Sequence, residues 1–157
     1  MDRVAVFPGS FDPITKGHES IILRALPLFD KIVVAVGVNT TKNYLFSLEQ
    51  RISWLKEIFK DHPKVEVKQY EGLTVRFCQS IGAKYILRGL RNSADFTYEK
   101  NIAHMNAAME IDLESVFLLT TPNLAAINAS IVREIYKSGG DIQQFIPSAI
   151  NILPKDK

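Results

Sequence analysis

Short apolar runs rich in valine and isoleucine recur along the chain, and the stretches between them repeat their apolar residues at helical rather than alternating spacing. Runs of that kind suit strands buried on both faces, and intervening helices are what parallel strands need to be joined. They predict strands over Arg3 to Phe7, Lys31 to Val38, Val65 to Tyr70, Tyr85 to Leu87 and Ser115 to Thr120. Helices are expected over Glu19 to Leu28, over Leu48 to Lys60 behind a Ser47/Gln50 capping box, and over Thr74 to Ile81, stopped by Gly82. Two more are expected over Phe96 to Met109 and over Ser130 to Lys137, the latter ended by Gly139-Gly140. No linker, charge run or internal repeat divides the pattern. Residues 1–157 therefore read as one doubly wound, Rossmann-like α/β domain, with a five-stranded parallel sheet and a short C-terminal helical tail.

Composition narrows this picture in three ways. At 157 residues and 46% hydrophobic content the chain has enough apolar surface for one substantial core. Nineteen basic against 17 acidic residues leave a formal charge of +2, which excludes a histone-like charge density while leaving room for an anionic ligand. The single cysteine, Cys78, excludes an intrachain disulfide framework and a cysteine-cluster metal site, and at apolar helical spacing it reads as core packing. With no charged leader and no run of about 18 apolar residues, a soluble cytoplasmic protein without a membrane partner is expected. The sequons at Asn39 and Asn128 then have no expected use.

In a doubly wound sheet ligands bind beyond the carboxyl ends of the strands, so the strand-to-helix loops are where chemistry is expected. The first runs from Pro8 to His18 and is neither a Walker A loop nor a dinucleotide G-x-G-x-x-G. Gly9 and Gly17 let backbone approach a phosphate, Ser10 offers a hydroxyl, and His18 falls at a helix N-terminus, where N–H groups favour anions. Taken alone, Gly9, Pro8 and Pro13 read as turn chemistry, and the alternative for His18 is an N-terminal or surface histidine. Lys42, on the loop after the second strand, is by itself an ordinary solvated charge. Arg88-Gly89-Leu90-Arg91, placed after the fourth strand, suits an anion with several oxygens, the alternative being that Arg88 or Arg91 pairs with Asp95 or Glu99. Ser130 reads first as a helix N-cap, at a helix start that also suits phosphate. Every phosphate-suited group lies on one sheet edge, which points to a small molecule with several phosphates.

Taken together, Pro8-Gly9-Ser10-Phe11-Asp12-Pro13-Ile14-Thr15 with Gly17-His18, and Arg88-Gly89-Leu90-Arg91 with Asp95-Phe96 and Tyr98-Glu99, closely resemble the bacterial phosphopantetheine adenylyltransferases. Thr15-Lys16-Gly17-His18 is similar to the T/H-x-G-H signature of the nucleotidyltransferase superfamily, and the resemblance runs from about Val4 to about Ile152. It implies transfer of the adenylyl group of ATP to 4′-phosphopantetheine, giving dephospho-coenzyme A and pyrophosphate. It also implies magnesium with the ATP, a homohexamer and feedback inhibition by coenzyme A. The roles it carries over are catalysis for His18, Ser10, Lys42 and Arg91, and ATP binding for Gly9, Ser10, His18, Gly89, Arg91, Glu99 and Ser130. For phosphopantetheine it implies Ser10, Lys42 and Arg88, with Leu73, Thr74, Met105, Asn106 and Glu134 as walls. No protein metal ligand is assigned.

Two stretches depart from the family pattern. Leu124-Ala-Ala-Ile-Asn128-Ala129-Ser130 stands where many relatives have an aromatic residue and then a run of three serines, and Asn43-Tyr44 replaces a commoner Lys-Pro. Other readings stay open on the sequence: a transferase of the same superfamily with another acceptor or nucleotide, or a catalytically silent coenzyme A or nucleotide sensor. A nucleic-acid binder is disfavoured, because no basic stripe with interleaved aromatic residues occurs.

Overall fold

The computed structural model describes residues 2–155. Its five strands are all parallel and lie in the order β3-β2-β1-β4-β5, with β1 Val4–Gly9, β2 Lys31–Val38, β3 Val65–Glu71, β4 Tyr85–Leu90 and β5 Glu114–Leu119. Between and after them come α1 Lys16–Ala25, α2 Leu48–Ile58, α3 Thr74–Ile81, α4 Ser93–Met109 and α5 Ala129–Lys137. The order reverses between β1 and β4, so a crevice opens at the carboxyl ends of those two central strands.

Strand alternation decides what each face buries. Ala5, Phe7, Ile32, Val34, Val36 and Leu87 project to one side, where they meet Ile22 and Ala25 of α1, Leu55 of α2 and Val132 of α5. Val6, Val33, Ala35 and Ile86 project to the other, against Val75 and Cys78 of α3. Cys78 is fully buried there, and burial pushes its thiol up to about 11, which keeps it protonated and inert. The Ser47/Gln50 capping box opens α2, and Gly82, at φ +69°, closes α3 in the left-handed region where glycine carries no Cβ penalty.

Several boundaries differ from those the sequence predicts. β4 continues through Leu90, because its ladder with β5 pairs Arg88 with Phe117, Gly89 with Leu118 and Leu90 with Leu119. Arg88 and Gly89 are therefore strand residues rather than loop residues. Alternation sends Arg88 to the face of Ile86 and turns Gly89 toward α1, where an added Cβ would lie 2.9 Å from Ile21 Cγ1. Helix α1 starts at Lys16, three residues before the expected Glu19, since Thr15 caps it. Its expected last turn is a separate 3-10 turn, Leu26–Leu28, with Pro27 inside it. The cap of α5 is Asn128 rather than Ser130: Asn128 Oδ1 accepts the Ser130 N–H at 2.8 Å. The tail holds one 3-10 turn, Gln143–Phe145, fixed by the buried Ile142 and Ile146 on either side.

Candidate active site

Two cavities, of about 430 and 460 Å³, open at the carboxyl edge of the sheet and share Pro8, Gly9, Ser10, Lys42, Tyr44, Arg88 and Glu99. The first extends past Leu73 and Thr74 of the α3 start to Ile102, Asn106 and Met109 of α4. The second extends past His18, Gly89 and Arg91 to the start of α5 at Asn128, Ala129, Ser130 and Arg133. The β1-α1 loop divides them. In it Phe11 holds a left-handed backbone at φ 49°, and its ring packs beside Phe7 and, edge-on, 5.3 Å from the His18 ring. An added Cβ at Gly9 would come 3.0 Å from that ring, a tight contact that the Phe11 side chain would have to relieve, and Gly9 lines both cavities.

His18 is the third residue of α1 and closes a capping box with Thr15. The Thr15 N–H donates to His18 Nδ1 at 3.0 Å, while the His18 N–H donates to Thr15 Oγ1 at 3.4 Å. A backbone N–H only donates, so Nδ1 must be the unprotonated nitrogen and the ring proton sits on Nε2. Burial, followed by the charges of Arg88 and Arg91, pulls the imidazole from its ordinary 6.5 down to about 4. At neutral pH His18 is thus a neutral ring with Nε2–H as its donor. Gly17 beside it has ordinary clearance, 3.5 Å from an added Cβ to Thr15 Oγ1, so the protein's own packing does not demand glycine there.

The arginines pair as the alternative reading of their spacing anticipates. Arg88 donates from Nε and Nη2 to both oxygens of Glu99, at 3.1 and 2.7 Å, and from Nη1 to the Pro8 carbonyl at 2.6 Å. Glu99, expected on the nucleotide, is 8% exposed and spends both oxygens aiming Arg88. Arg91 donates from Nε, Nη2 and its backbone N–H to Asp95, which Asn92 orients by capping α4. Burial raises the Asp95 carboxyl, but these Arg91 bonds outweigh it and hold the group below its ordinary value. Each arginine is fixed in direction by a carboxylate one or two helical turns into α4, with further N–H groups left over.

Lys42 reaches across from the β2-α2 loop and donates to Ser10 Oγ at 3.3 Å. Thr74 and Tyr70 share a hydroxyl hydrogen bond of 2.8 Å at the first cavity's floor, where Tyr70 stacks on Phe77. Two expected wall residues lie elsewhere. Ile102, Asn106 and Met109 form the cavity-facing stripe of α4, and Met105 falls off it, 65% exposed. Glu134 lines neither cavity; it stands on the solvent side of α5 with Lys137 3.8 Å away. Conversely, Arg133 lines the second cavity although its sequence position reads as a surface residue of an amphipathic helix. It donates to the Asp12 carbonyl at 3.2 Å and to Ser130 Oγ at 3.0 Å, and it has no carboxylate partner among the described residues. Its signal was position: one turn after Ser130, it shares the face of the helix start. Arg51, the other residue sequence reasoning missed, is 2% exposed beneath the Lys42 loop.

Comparison with known proteins agrees with this architecture. A family model described as cytidylyltransferase-like matches residues 6–135. A curated protein of Flavobacterium psychrophilum named phosphopantetheine adenylyltransferase is 52% identical over 96% of this chain and 99% of its own. One of Flavobacterium johnsoniae with the same name is 53% identical over 96% of this chain and 98% of its own. Among solved structures, a bifunctional NMN adenylyltransferase/ADP ribose pyrophosphatase from Francisella tularensis superposes with a TM-score of 0.71 at 21% identity. It covers 97% of this chain while the chain spans only 46% of it, a likeness of fold alone. The chain belongs to the cytidylyltransferase-like nucleotidyltransferases and, within them, to the phosphopantetheine adenylyltransferase family.

Proposed function

We propose that the chain transfers the adenylyl group of ATP to 4′-phosphopantetheine, giving dephospho-coenzyme A and pyrophosphate. The observation that carries this reading is the meeting of the two cavities at Ser10, Lys42 and Arg88. One cavity is walled by Leu73, Tyr70, Ile102 and Met109, which suits the pantetheine arm; the other ends at a helix start and at Arg133, which has no carboxylate partner among the described residues, and this suits a triphosphate. A phosphate entering from each side meets the other at the shared groups.

A phosphate monoester has a second pKa of about 6 and is mostly dianionic at neutral pH, so the nucleophile needs no general base. One of its oxygens attacks the α-phosphorus of ATP, the bond from that phosphorus to the bridging oxygen breaks, and pyrophosphate leaves with the electron pair. Lys42 and Ser10 hold the attacking phosphate. Arg88, aimed by Glu99, lines the same junction, and Arg91, Arg133 and the N–H groups of the α5 start face the nucleotide. His18 donates from Nε2 to an oxygen gaining charge in the in-line transition state. Catalysis is positioning and charge stabilisation, with no covalent intermediate.

Magnesium enters as part of the ATP substrate. No group of three or more potential ligands clusters among the described residues, and the carboxylates near the junction are engaged by arginines or backbone N–H groups. Substrate phosphates with one or two carboxylates at most are the usual seat of this ion. Homohexameric assembly, coenzyme A feedback and a cytoplasmic setting complete the reading. The first is supported by apolar side chains left exposed on α4, Phe96, Tyr98, Met105 and Met109 among them. No helix of the described residues is long and apolar enough to cross a membrane.

A pyrophosphate-release assay pairing ATP or CTP with phosphopantetheine or glycerol phosphate tests the reaction: only ATP with phosphopantetheine should turn over efficiently. Turnover with CTP or glycerol phosphate in its place points to another transferase of the superfamily, and none with any pair points to a sensor. Light scattering at micromolar concentration tests assembly, a stable monomer being the adverse result.

A further inference from the structure

Ser10 and Lys42, taken as above to receive the acceptor phosphate, come from two different loops, and Lys42 sits on one without regular structure between β2 and α2. A lysine has a flexible four-carbon stem and pays entropy to be held, so something must fix its loop against the other. The structure supplies a buried cation that is not itself a lining residue of either cavity. Arg51, on α2, donates from Nη1 to the Ser10 carbonyl at 2.8 Å and from Nε to the Phe46 carbonyl at 3.1 Å. Those two carbonyls belong to the two loops. Over the guanidinium lies the ring of Tyr44, its centroid 4.0 Å from Arg51 Cζ and 5.5 Å from Lys42 Nζ. The Tyr44 hydroxyl donates to the Gly37 carbonyl at 3.4 Å, and Asp12 closes the assembly by accepting the N–H groups of Leu45 and Phe46 at 2.8 and 2.9 Å.

Burying a charge is costly unless its bonds are used, and an apolar residue would fill the same space more cheaply. What an arginine adds is a rigid planar fork joining two carbonyls, with a flat face for a ring. We propose that Arg51 and Tyr44 form a positioning clamp that sets Lys42 against Ser10, so that the acceptor phosphate meets a preformed site. Arg51 acts through those two groups. Tyr44 is the lid of the clamp, its ring lying over the guanidinium and its hydroxyl on the Gly37 carbonyl.

The test uses the full chain with Tyr44→Ala, Tyr44→Phe and Arg51→Lys. In steady-state pyrophosphate release, Tyr44→Ala should raise the phosphopantetheine KM about tenfold, the loss of one desolvated cation–π contact, with the ATP KM changed less than twofold. Tyr44→Phe should restore most of the loss, because the ring face carries the stack, whereas Arg51→Lys, lacking the planar fork, should behave like Tyr44→Ala. Trypsin cleavage of the Lys42–Asn43 bond, followed by mass spectrometry, reads the loop without activity and should be severalfold faster in Tyr44→Ala. If the wild-type chain does not use phosphopantetheine, the acceptor reading falls, and faster cleavage still supports the clamp. Unchanged cleavage overturns the clamp whatever the kinetics, and so does an equal rise in both KM values. Should Arg51→Lys fail to fold, the two Tyr44 variants decide alone.

Discussion

His18→Gln separates a hydrogen-bond donor from a base, and the structure sets the size of two effects. The third position of a capping box favours glutamine, so the Oε1 of the introduced side chain would accept the Thr15 N–H in place of Nδ1 and leave an amide N–H for the cavity. As a transition-state donor, His18 replaced by alanine should lower kcat by roughly 10²–10³ with smaller changes in either KM, and glutamine should recover part of it. A base would allow no such recovery. The second effect is on stability. The folded imidazole titrates near 4 against an ordinary 6.5, and at 1.36 kcal/mol per pH unit that gap is worth about 3 kcal/mol. The sign follows from which state takes up the proton. An unfolded chain binds it near 6.5 and the folded chain only near 4, so the stability present above pH 6.5 is lost as pH falls between those values. Urea unfolding of the wild type and His18→Gln at pH 7.5 and 4.5 measures it: the wild type should lose more by most of that amount. Parallel losses in the two proteins would show that the imidazole is not held neutral. In the kcat profile a limb near 6 set by the acceptor phosphate should persist in the variant, whereas a limb present only in the wild type between 6 and 7 would make His18 a base.

Further substitutions at three places test other parts of the site. Lys42→Ala should raise the phosphopantetheine KM and slow turnover, with Lys42→Arg rescuing only partly, and unchanged kinetics would return Lys42 to a solvated charge. Arg133→Ala should raise the ATP KM by about 10- to 100-fold, the range of a charge-assisted hydrogen bond, while the phosphopantetheine KM stays within twofold; an effect on the acceptor instead would refute the side assigned to it. Replacing Asn128 and Ala129 together by serine should change the ATP KM more than the phosphopantetheine KM at nearly unchanged thermal stability, because serine also caps helices well; equal kinetic effects would mean the α5 start does not face ATP.

The parts of the fold legible in the sequence are those where one local signal decides. The Ser47/Gln50 box and Gly82 each mark a boundary that nothing tertiary overrides. The Arg88-Gly89 pair misleads, because it breaks the β-branched run while its backbone is still claimed by β5 across the ladder. The start of α1 is likewise misplaced, at Glu19, because Thr15 has already opened the helix three residues earlier. At the site, His18, Ser10 and the two arginines were readable as types suited to phosphate and the arginines' carboxylate partners as an alternative, whereas Lys42 by itself read as a solvated charge. Glu99 reads as a ligand until its oxygens are found on Arg88. Arg51 and Arg133 were hidden for opposite reasons: one lies in a polar helix segment that turns out to be buried, the other on a helix whose solvent face begins one residue away at Glu134.

These pairings change how the site handles charge. Lys42, Arg88, Arg91 and Arg133 line the second cavity with Asp12, Asp95 and Glu99, so four cations face three carboxylates and, with His18 neutral, the lining carries 4 − 3 = +1. That is far short of what a triphosphate and a phosphate dianion bring together. Two unit charges about 4 Å apart at an effective dielectric near 20 repel by about 4 kcal/mol, and several such pairs arise as the substrates close. The protein's bulk charge at the site cannot offset this. What it supplies is direction: Arg88 and Arg91 are neutralised by α4 yet held by bidentate bonds, so their remaining N–H groups donate from fixed positions without reorganising. In the proposed reaction, magnesium bound with ATP would supply positive charge that these residues do not. In that reaction Lys42 and Arg133, which have no carboxylate partner among the described residues, would serve the nucleophile and the leaving group respectively. That disposition favours in-line displacement, because charge moves from the attacking to the departing oxygens along the line between them.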